Sequence, residues 1–298
     1  MVDRLILAAT GKSDIAQAWS SLVAPNDKIG IKISAAGGEL FTTHRDVVNA
    51  IVNGLVAAGH PRESIVVWDR ELGGIKDAGY RPNAEGYRLL SIPPRDGYDA
   101  KAFFSVPLLG NLVWGDSEFQ NAKGIMPMPL LSETENTSDI SHFSRIVSSE
   151  VTKIINVPVM SNSEANGLAG CLYNMVIPNI DNWRRFSDST HLGSSTVAEI
   201  YANPIIAKKV VLHLMDGLVA QYAAGPRSEP NYAIHYATLM ASKDPVAIDS
   251  IALRQIEEWR AKEKLPSLKE AAGYLPIAVQ YGLGKADPRQ IEIKTVGR

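Results

Sequence analysis

Residues 212–260 read LHLMDGLVAQYAAGPRSEPNYAIHYATLMASKDPVAIDSIALRQIEEWR. An apolar run reaches Asp216-Gly217, and a Gly225-Pro226 loop follows. A second apolar run ends at Lys243-Asp244, and Pro245 suits the first position of a helix. The expected order is strand, loop, strand, helix, with an acid at each turning point and a third acid, Asp249, inside the helix. Val246, Ala252, Leu253 and Ile256 place Asp249 on or beside the apolar stripe. A buried carboxylate must be paired or hydrogen-bonded. Asp244 is expected to cap the helix. Asp216-Gly217 is read as the close of a strand.

Working outward, Lys28–Ser34 alternates with period two. Ile29, Ile31 and Ile33 share one face; Lys28, Gly30, Lys32 and Ser34 share the other. Gly30 leaves room for a backbone or ligand beside Lys32. Thr42 or Thr43 is placed to cap a helix whose stripe is Val47, Val48, Ile51, Val52, Leu55 and Val56. Gly59 ends it. Ser64–Trp68 is a second strand, followed at once by Asp69-Arg70. Strand, helix and strand in this span predict a parallel βαβ unit. A helix is expected over Asp14–Val23. Residues 71–138 carry Pro82, Pro93, Pro94, Pro107, Pro127 and Pro129 and are read as an irregular insertion over one sheet edge, with a short strand at Asn111–Phe119. Ser141–Glu150 and Asn166–Val176 read as helices and Ala198–Ala202 as a short one. Thr152–Met160, Lys208–Met215 and Gln290–Thr295 read as strands. The fold class is α/β, a mostly parallel or mixed central sheet flanked by helices, in one domain over residues 1–298.

With 298 residues, 45% of them apolar and 21% charged, the chain can bury a large core. A formal net charge of −2 gives no basic stripe for nucleic acid. Cys171 is the single cysteine, so neither an internal disulfide nor a Cys-ligated iron–sulfur cluster is expected. No run is long and apolar enough for a membrane span. No signal peptide is read at the start, so the expectation is a soluble chain, cytoplasmic as written or periplasmic if an export signal was trimmed. The phosphate-loop, dinucleotide, zincin and nucleophile-elbow motifs are absent; Gly282-Leu283-Gly284 lacks the third glycine of a dinucleotide turn.

Polar residues fall where strands end: Lys32 and Ser34, Asp69-Arg70, Ser161-Asn162-Ser163, Asp216, and Asp244. Open α/β sheets bind ligands beyond the carboxyl ends of their strands. Lys32, Asp69 and Asp216 are therefore the candidate catalytic groups. Ser34, His44, Arg70, Ser161, Asn162, Ser163, Asn174, Asp244 and Asp249 are candidate substrate contacts. A desolvated lysine loses basicity and can act as a base, although an ion pair with Asp69 or Asp249 is the plainer reading of Lys32. Asp216-Gly217 also reads as an Asx turn, Asp249 as a tie to a cation or amides, and Arg184-Arg185 as an exposed loop pair. His142 and His235 are minor candidates.

The runs IKIS, IVVWDR, SHFSRIVSSEVTKIINVPVM, MDG, GPRSEP and LMASKDPVAID together resemble the family known as domain of unknown function 362, from about Asp27 to the C-terminus. WDR and TKIINVPV are most similar to its branch often carrying a twin-arginine export signal. The resemblance implies an α/β fold and a bacterial or archaeal source, and no general activity. Where the family shows Lys-x-His and then Lys-Asn, this chain has Ser161-Asn162-Ser163 and Tyr173-Asn174; the ferredoxin-like cysteines of some relatives are missing. The expected function is a cofactor-independent lyase, isomerase or hydrolase acting on a small hydroxyl-rich or carboxylated molecule. The alternative is a non-catalytic binder of a small ligand or divalent metal, with Asp69, Asp216 and Asp244 as oxygen donors.

Overall fold

The structure is a computed structural model that describes residues 1–82, 84–94, 96–105, 140–183, 186 and 193–297. Its spine is the twelve-residue strand β9 (Val210–Gln221). One edge of β9 takes β6 (Lys153–Val157) and then β7 (Val159–Ser163), both parallel. The other edge takes β10 (Ala233–Ile234) and β11 (Thr238–Ser242), both antiparallel. Beyond β6 come β1 (Ile29–Ile33), β2 (Val66–Trp68) and β3 (Arg88–Leu90), all parallel. The path through the mixed sheet is β3-β2-β1-β6-β9-β7-β8, with β8 at Gly167–Leu168.

Helices cover both faces, which is why β1 is buried along its whole length and β6 at every residue but its first. On one face, α1 (Val2–Thr10), α2 (Ile15–Ser20) and α3 (Arg45–Ala57) pack Ile6, Trp19, Val48 and Ile51 against Ile31, Ile33, Val67 and Leu214. On the other lie α5 (Cys171–Val176), α6 (Gly193–Tyr201), α7 (Pro204–Ala207), α8 (Pro245–Lys262) and α9 (Tyr274–Gln280). Their apolar sides meet Trp68, Ile154 and Met215. The βαβ unit β1-α3-β2 is present as expected. Gly30 faces neither ligand nor solvent: a Cβ there would lie 2.6 Å from the Trp68 ring.

Several boundaries differ from the sequence reading. Asp216-Gly217 does not close a strand, because β9 runs on to Gln221. The Asp216 carboxylate is satisfied from outside the ladder, as described below, so the strand tolerates it. Thr152–Met160 is two strands, parted at Pro158, whose carbonyl accepts the Asp216 amide at 2.8 Å. Ser141–Glu150 is not one helix. β5 (Ile140–Ser144) pairs antiparallel with β4 (Tyr98–Ser105), and a single helical turn follows at Ile146–Glu150. The spacing of Phe143, Ile146 and Val147 straddles that junction and imitates a helix. α5 starts five residues later than expected, after β8. α1 was not anticipated. Gln290–Thr295 forms no strand; Ile293 is exposed. Neither Thr42 nor Thr43 caps α3, whose N-cap is His44 without a side-chain cap. Part of the expected insertion belongs to the main sheet as β3, after the short α4 (Leu72–Asp77). Asn111–Phe119 and Arg184-Arg185 lie outside the described residues.

Candidate functional site

Strand register sets the level of each candidate. Lys32 lies opposite Trp68 on one side and Asn156 on the other, so Ser34 and Asp69 emerge together just past the strand ends. Asp216 lies opposite Val159, at the same rim.

Lys32 is wholly buried. Its ammonium donates to Asp69 Oδ1 at 2.7 Å, to the Ile33 carbonyl at 2.5 Å and to Asn174 Oδ1 at 3.1 Å. Burial pushes the Lys32 pKa down, against the pull of Asp69. Only a protonated amine has three hydrogens to give, so the geometry is that of the charged form. Asp69 is as fully engaged, because Oδ1 also accepts the Arg70 amide at 2.8 Å and Oδ2 the Ala35 amide at 2.6 Å. The pair is a closed, buried ion pair that ties the β1 and β2 ends together.

Asp216 does not join that pair. Its Oδ2 accepts the His44 backbone amide and faces His44 Nδ1, each at 2.8 Å, and Oδ1 accepts the Leu218 amide at 3.1 Å. The carboxylate is buried, whereas the His44 side chain is 36% exposed. The hydrogen bond to Asp216 raises the His44 pKa, with burial opposing it. Thr43 positions the dyad: its Oγ1 donates to Val157 O at 2.6 Å and accepts the Ser34 amide at 2.9 Å, while its carbonyl accepts the Tyr80 hydroxyl at 2.8 Å. The Ser34–Thr43 bonds therefore set the β1 end beside His44.

The remaining candidates separate from this rim. Arg70 Nη1 donates to the Ile177 and Ile180 carbonyls, both at 3.4 Å, and its guanidinium lies 4.7 Å over the Trp183 ring. Ser161 pairs with Gln221, five residues along β9 from Asp216 and roughly 16 Å at strand rise. There Asn162 holds Glu164 and the Gly225 amide, and Ser163 holds Asn166. These three residues close β7 at a level away from the rim of Lys32 and Asp216, and Asn162 braces the Gly225-Pro226 loop. Asp244 follows β11, which is antiparallel, so it lies toward the opposite end of β9. It caps α8 through the Ala247 amide at 2.8 Å and takes the Lys285 amide at 2.9 Å. Asp249 is wholly buried and accepts the Cys171 amide at 2.6 Å, the Leu172 amide at 3.2 Å and the Tyr274 hydroxyl at 3.1 Å. It anchors the start of α5 and faces no open rim. Among the described residues no three His, Cys, Asp or Glu side chains converge as metal ligands, so Asp69, Asp216 and Asp244 form no such group.

Two features escaped the sequence reading. Asn156 and His213, inside β6 and β9, extend the Lys32–Asn174 contact into the core. Their signal was a polar residue within each apolar strand. The second is the partner of the minor candidate His142, whose Nδ1 faces Asp181 Oδ2 at 2.8 Å while its amide donates to Oδ1 at 2.5 Å. No spacing announces a partner 39 residues away.

The His44 titration tests the dyad. Replacing Asp216 with asparagine removes the group that raises the His44 pKa, so the His44 Cε1–H NMR titration should move to lower pH. In the wild type the dyad's contribution to stability is fully present below the ordinary histidine pKa of about 6.5 and fades as pH rises through the raised folded value. Asp216→Asn should flatten that dependence.

No helix among the described residues is long and apolar enough to cross a membrane. A search of curated proteins gave no match. One similar solved structure is the crystal structure of a structural-genomics target from Thermotoga maritima. It shares 12% identity, with a TM-score of 0.45 over 88% of this chain, and this chain spans 59% of that one. Residues 28–254 match a family description that encloses β1, the Lys32–Asp69 pair, the His44–Asp216 dyad and the Asp249 anchor, and by that match the chain belongs to the family Domain of unknown function (DUF362).

Proposed function

We propose that the chain is an enzyme of acid–base chemistry on a small hydroxyl-rich or carboxylated molecule, with His44 as the proton-transfer group and Asp216 as its orienting partner. One observation carries this reading: a half-exposed imidazole, held by a buried carboxylate, at the rim of the parallel strands. Nδ1 is committed to Asp216, which leaves Nε2 to exchange a proton with a ligand. Lyase, isomerase and hydrolase reactions all use such a group. Lys32 and Asp69 have a supporting role, since their hydrogen-bonding capacity is spent on each other and on backbone. The similarity of WDR and TKIINVPV to exported relatives further suggests a bacterial protein that works outside the cytoplasm.

The second reading is non-catalytic ligand binding, favoured by that same closed Lys32–Asp69 pair. Solvent exchange separates the two. Incubation with a panel of α-hydroxy carboxylates and sugar acids in D2O, followed by proton NMR, should show exchange of the hydrogen next to the carboxylate, or turnover, for at least one compound. His44→Gln should slow that reaction by about 10²–10⁴-fold. Compounds that shift the His44 resonance with neither exchange nor turnover would support binding alone. A reaction that His44→Gln leaves at the wild-type rate would remove His44 from the chemistry.

A further inference from the structure

We propose that Lys32 is the charged head of one oriented hydrogen-bond chain, Lys32–Asn174–Asn156–His213–Tyr201, which couples the rim to helix α6 and holds His213 as the neutral Nε2–H tautomer. The polarity follows link by link. Lys32 can only donate, so the Asn174 atom facing it at 3.1 Å is the oxygen. Asn174 Nδ2 then donates to Asn156 Oδ1 at 2.8 Å. Asn156 Nδ2 is left to face His213 Nδ1 at 3.0 Å, and the Cys171 carbonyl, an acceptor at 2.8 Å, independently requires that orientation. His213 Nδ1 therefore accepts. Its proton sits on Nε2, which faces the Tyr201 hydroxyl at 3.0 Å.

Every side chain in the chain is buried. Inside a protein an unpaired polar group is costly and a satisfied network is stiff. The five residues come from β1, α5, β6, β9 and α6, so the chain crosses the sheet core between elements distant in sequence. At its head Lys32 also fixes Asp69, which holds the Ala35 and Arg70 amides. Lys32 is thus a positioning residue with one hand on the rim and the other on the helices beneath it. This inference does not depend on His44 being a catalytic group.

Nitrogen-15 NMR of the wild-type protein is the primary test. The expected spectrum shows His213 protonated at Nε2 and bare at Nδ1, with no titration between pH 5 and 8 on the order of the usual histidine range. An Nδ1–H tautomer, or a His213 that protonates within that range, would overturn the chain's polarity. Coupling is tested by hydrogen exchange in Lys32→Met, compared with wild type under conditions of matched global stability. Amides in α5 and α6 should exchange about tenfold faster, together with Ala35 and Arg70. Acceleration confined to Ala35 and Arg70 would show that the network does not transmit. If Lys32→Met does not fold, the wild-type tautomer still decides the polarity, and Tyr201→Phe, which removes the terminal acceptor while sparing the rim, takes its place. It should speed exchange in α6 and broaden the Asn174 side-chain amide signals; unchanged Asn174 signals would refute coupling.

Discussion

Lys32→Met should lower the stability of the protein by about 3–5 kcal/mol, the range found when one partner of a buried ion pair is removed. The loss has a definite origin. Lys32 is fully enclosed and Asp69 nearly so. Methionine fills much of the same space but neutralises nothing, so the Asp69 carboxylate would stay buried with only the Ala35 and Arg70 amides as donors. Asn174 Oδ1 and the Ile33 carbonyl would lose their donor as well. Urea unfolding followed by circular dichroism measures the effect as a shift in midpoint at constant slope. Adding Asp69→Asn should recover part of the loss, because the neutral amide no longer needs a counter-charge while its oxygen can keep one of the two backbone amides. A Lys32→Met protein within 1 kcal/mol of wild type, on the order of an exposed pair, would show that the pair is hydrated. The same variant separates the two roles of Lys32. A reactive base would take activity with it even under conditions where the variant is fully folded, whereas a positioning residue acts through the shape and mobility of the rim.

The parts of the fold that could be read from sequence are those where local pattern and tertiary burial agree. KIGIKIS alternates and forms β1; Val47, Val48, Ile51, Val52 and Leu55 form the buried stripe of α3, although Val56, expected in that stripe, is exposed; KDPVAID carries its own cap and starts α8. The failures are cases where a distant partner changes the meaning of a residue. Asp216 looks like a terminator because an acid in a strand needs a partner, and that partner, His44, is 172 residues away. Asp244 looks like a rim residue if every strand runs in one direction, and β11 runs in the other. Ser161-Asn162-Ser163 does end a strand, β7, yet Ser161 pairs with Gln221 well beyond Asp216 on β9, and the buried Asn162 holds the Gly225 amide. For the site, the chemical types were legible and their partnerships were not. Lys32 with Asp69 could be named in advance, since Lys32 lies near the end of β1 and Asp69 directly follows its parallel neighbour β2. His44 with Asp216 could only be suspected from position, and the Asn156–His213 link lies in strands whose register no local pattern reveals.

Asp249→Ala should cost about 2–4 kcal/mol, and it distinguishes an anchor from a ligand contact. The wild-type carboxylate serves three donors: the first two amides of α5 and the Tyr274 hydroxyl on α9. Alanine would leave all three buried without an acceptor, and each unsatisfied group costs on the order of 1–3 kcal/mol, less than additively when the site relaxes. Asp249→Asn is the milder probe, since its oxygen keeps one donor while its NH2 group confronts another. The pH dependence carries a second signature. Burial raises the Asp249 pKa to about 6 even though these three donors and the Cys171 thiol pull the other way. A raised folded pKa means that the group's favourable contribution is complete below the unfolded carboxylate value of about 3.9 and declines as pH rises through about 6. The wild type should therefore lose stability over that window while Asp249→Ala does not, and the gap between them should narrow as pH rises. Denaturant midpoints at pH 4, 5, 6 and 7, on the order of the interval these values span, would record it. A gap that widens instead would mean that the ionised carboxylate, held by α5, is the form the fold prefers. Ligand-induced shifts at His44 should survive in folded Asp249→Ala, because the Asp249 carboxylate is spent on the first amides of α5 and on Tyr274 and not on the His44–Asp216 dyad; their disappearance at full folding would return Asp249 to the binding site.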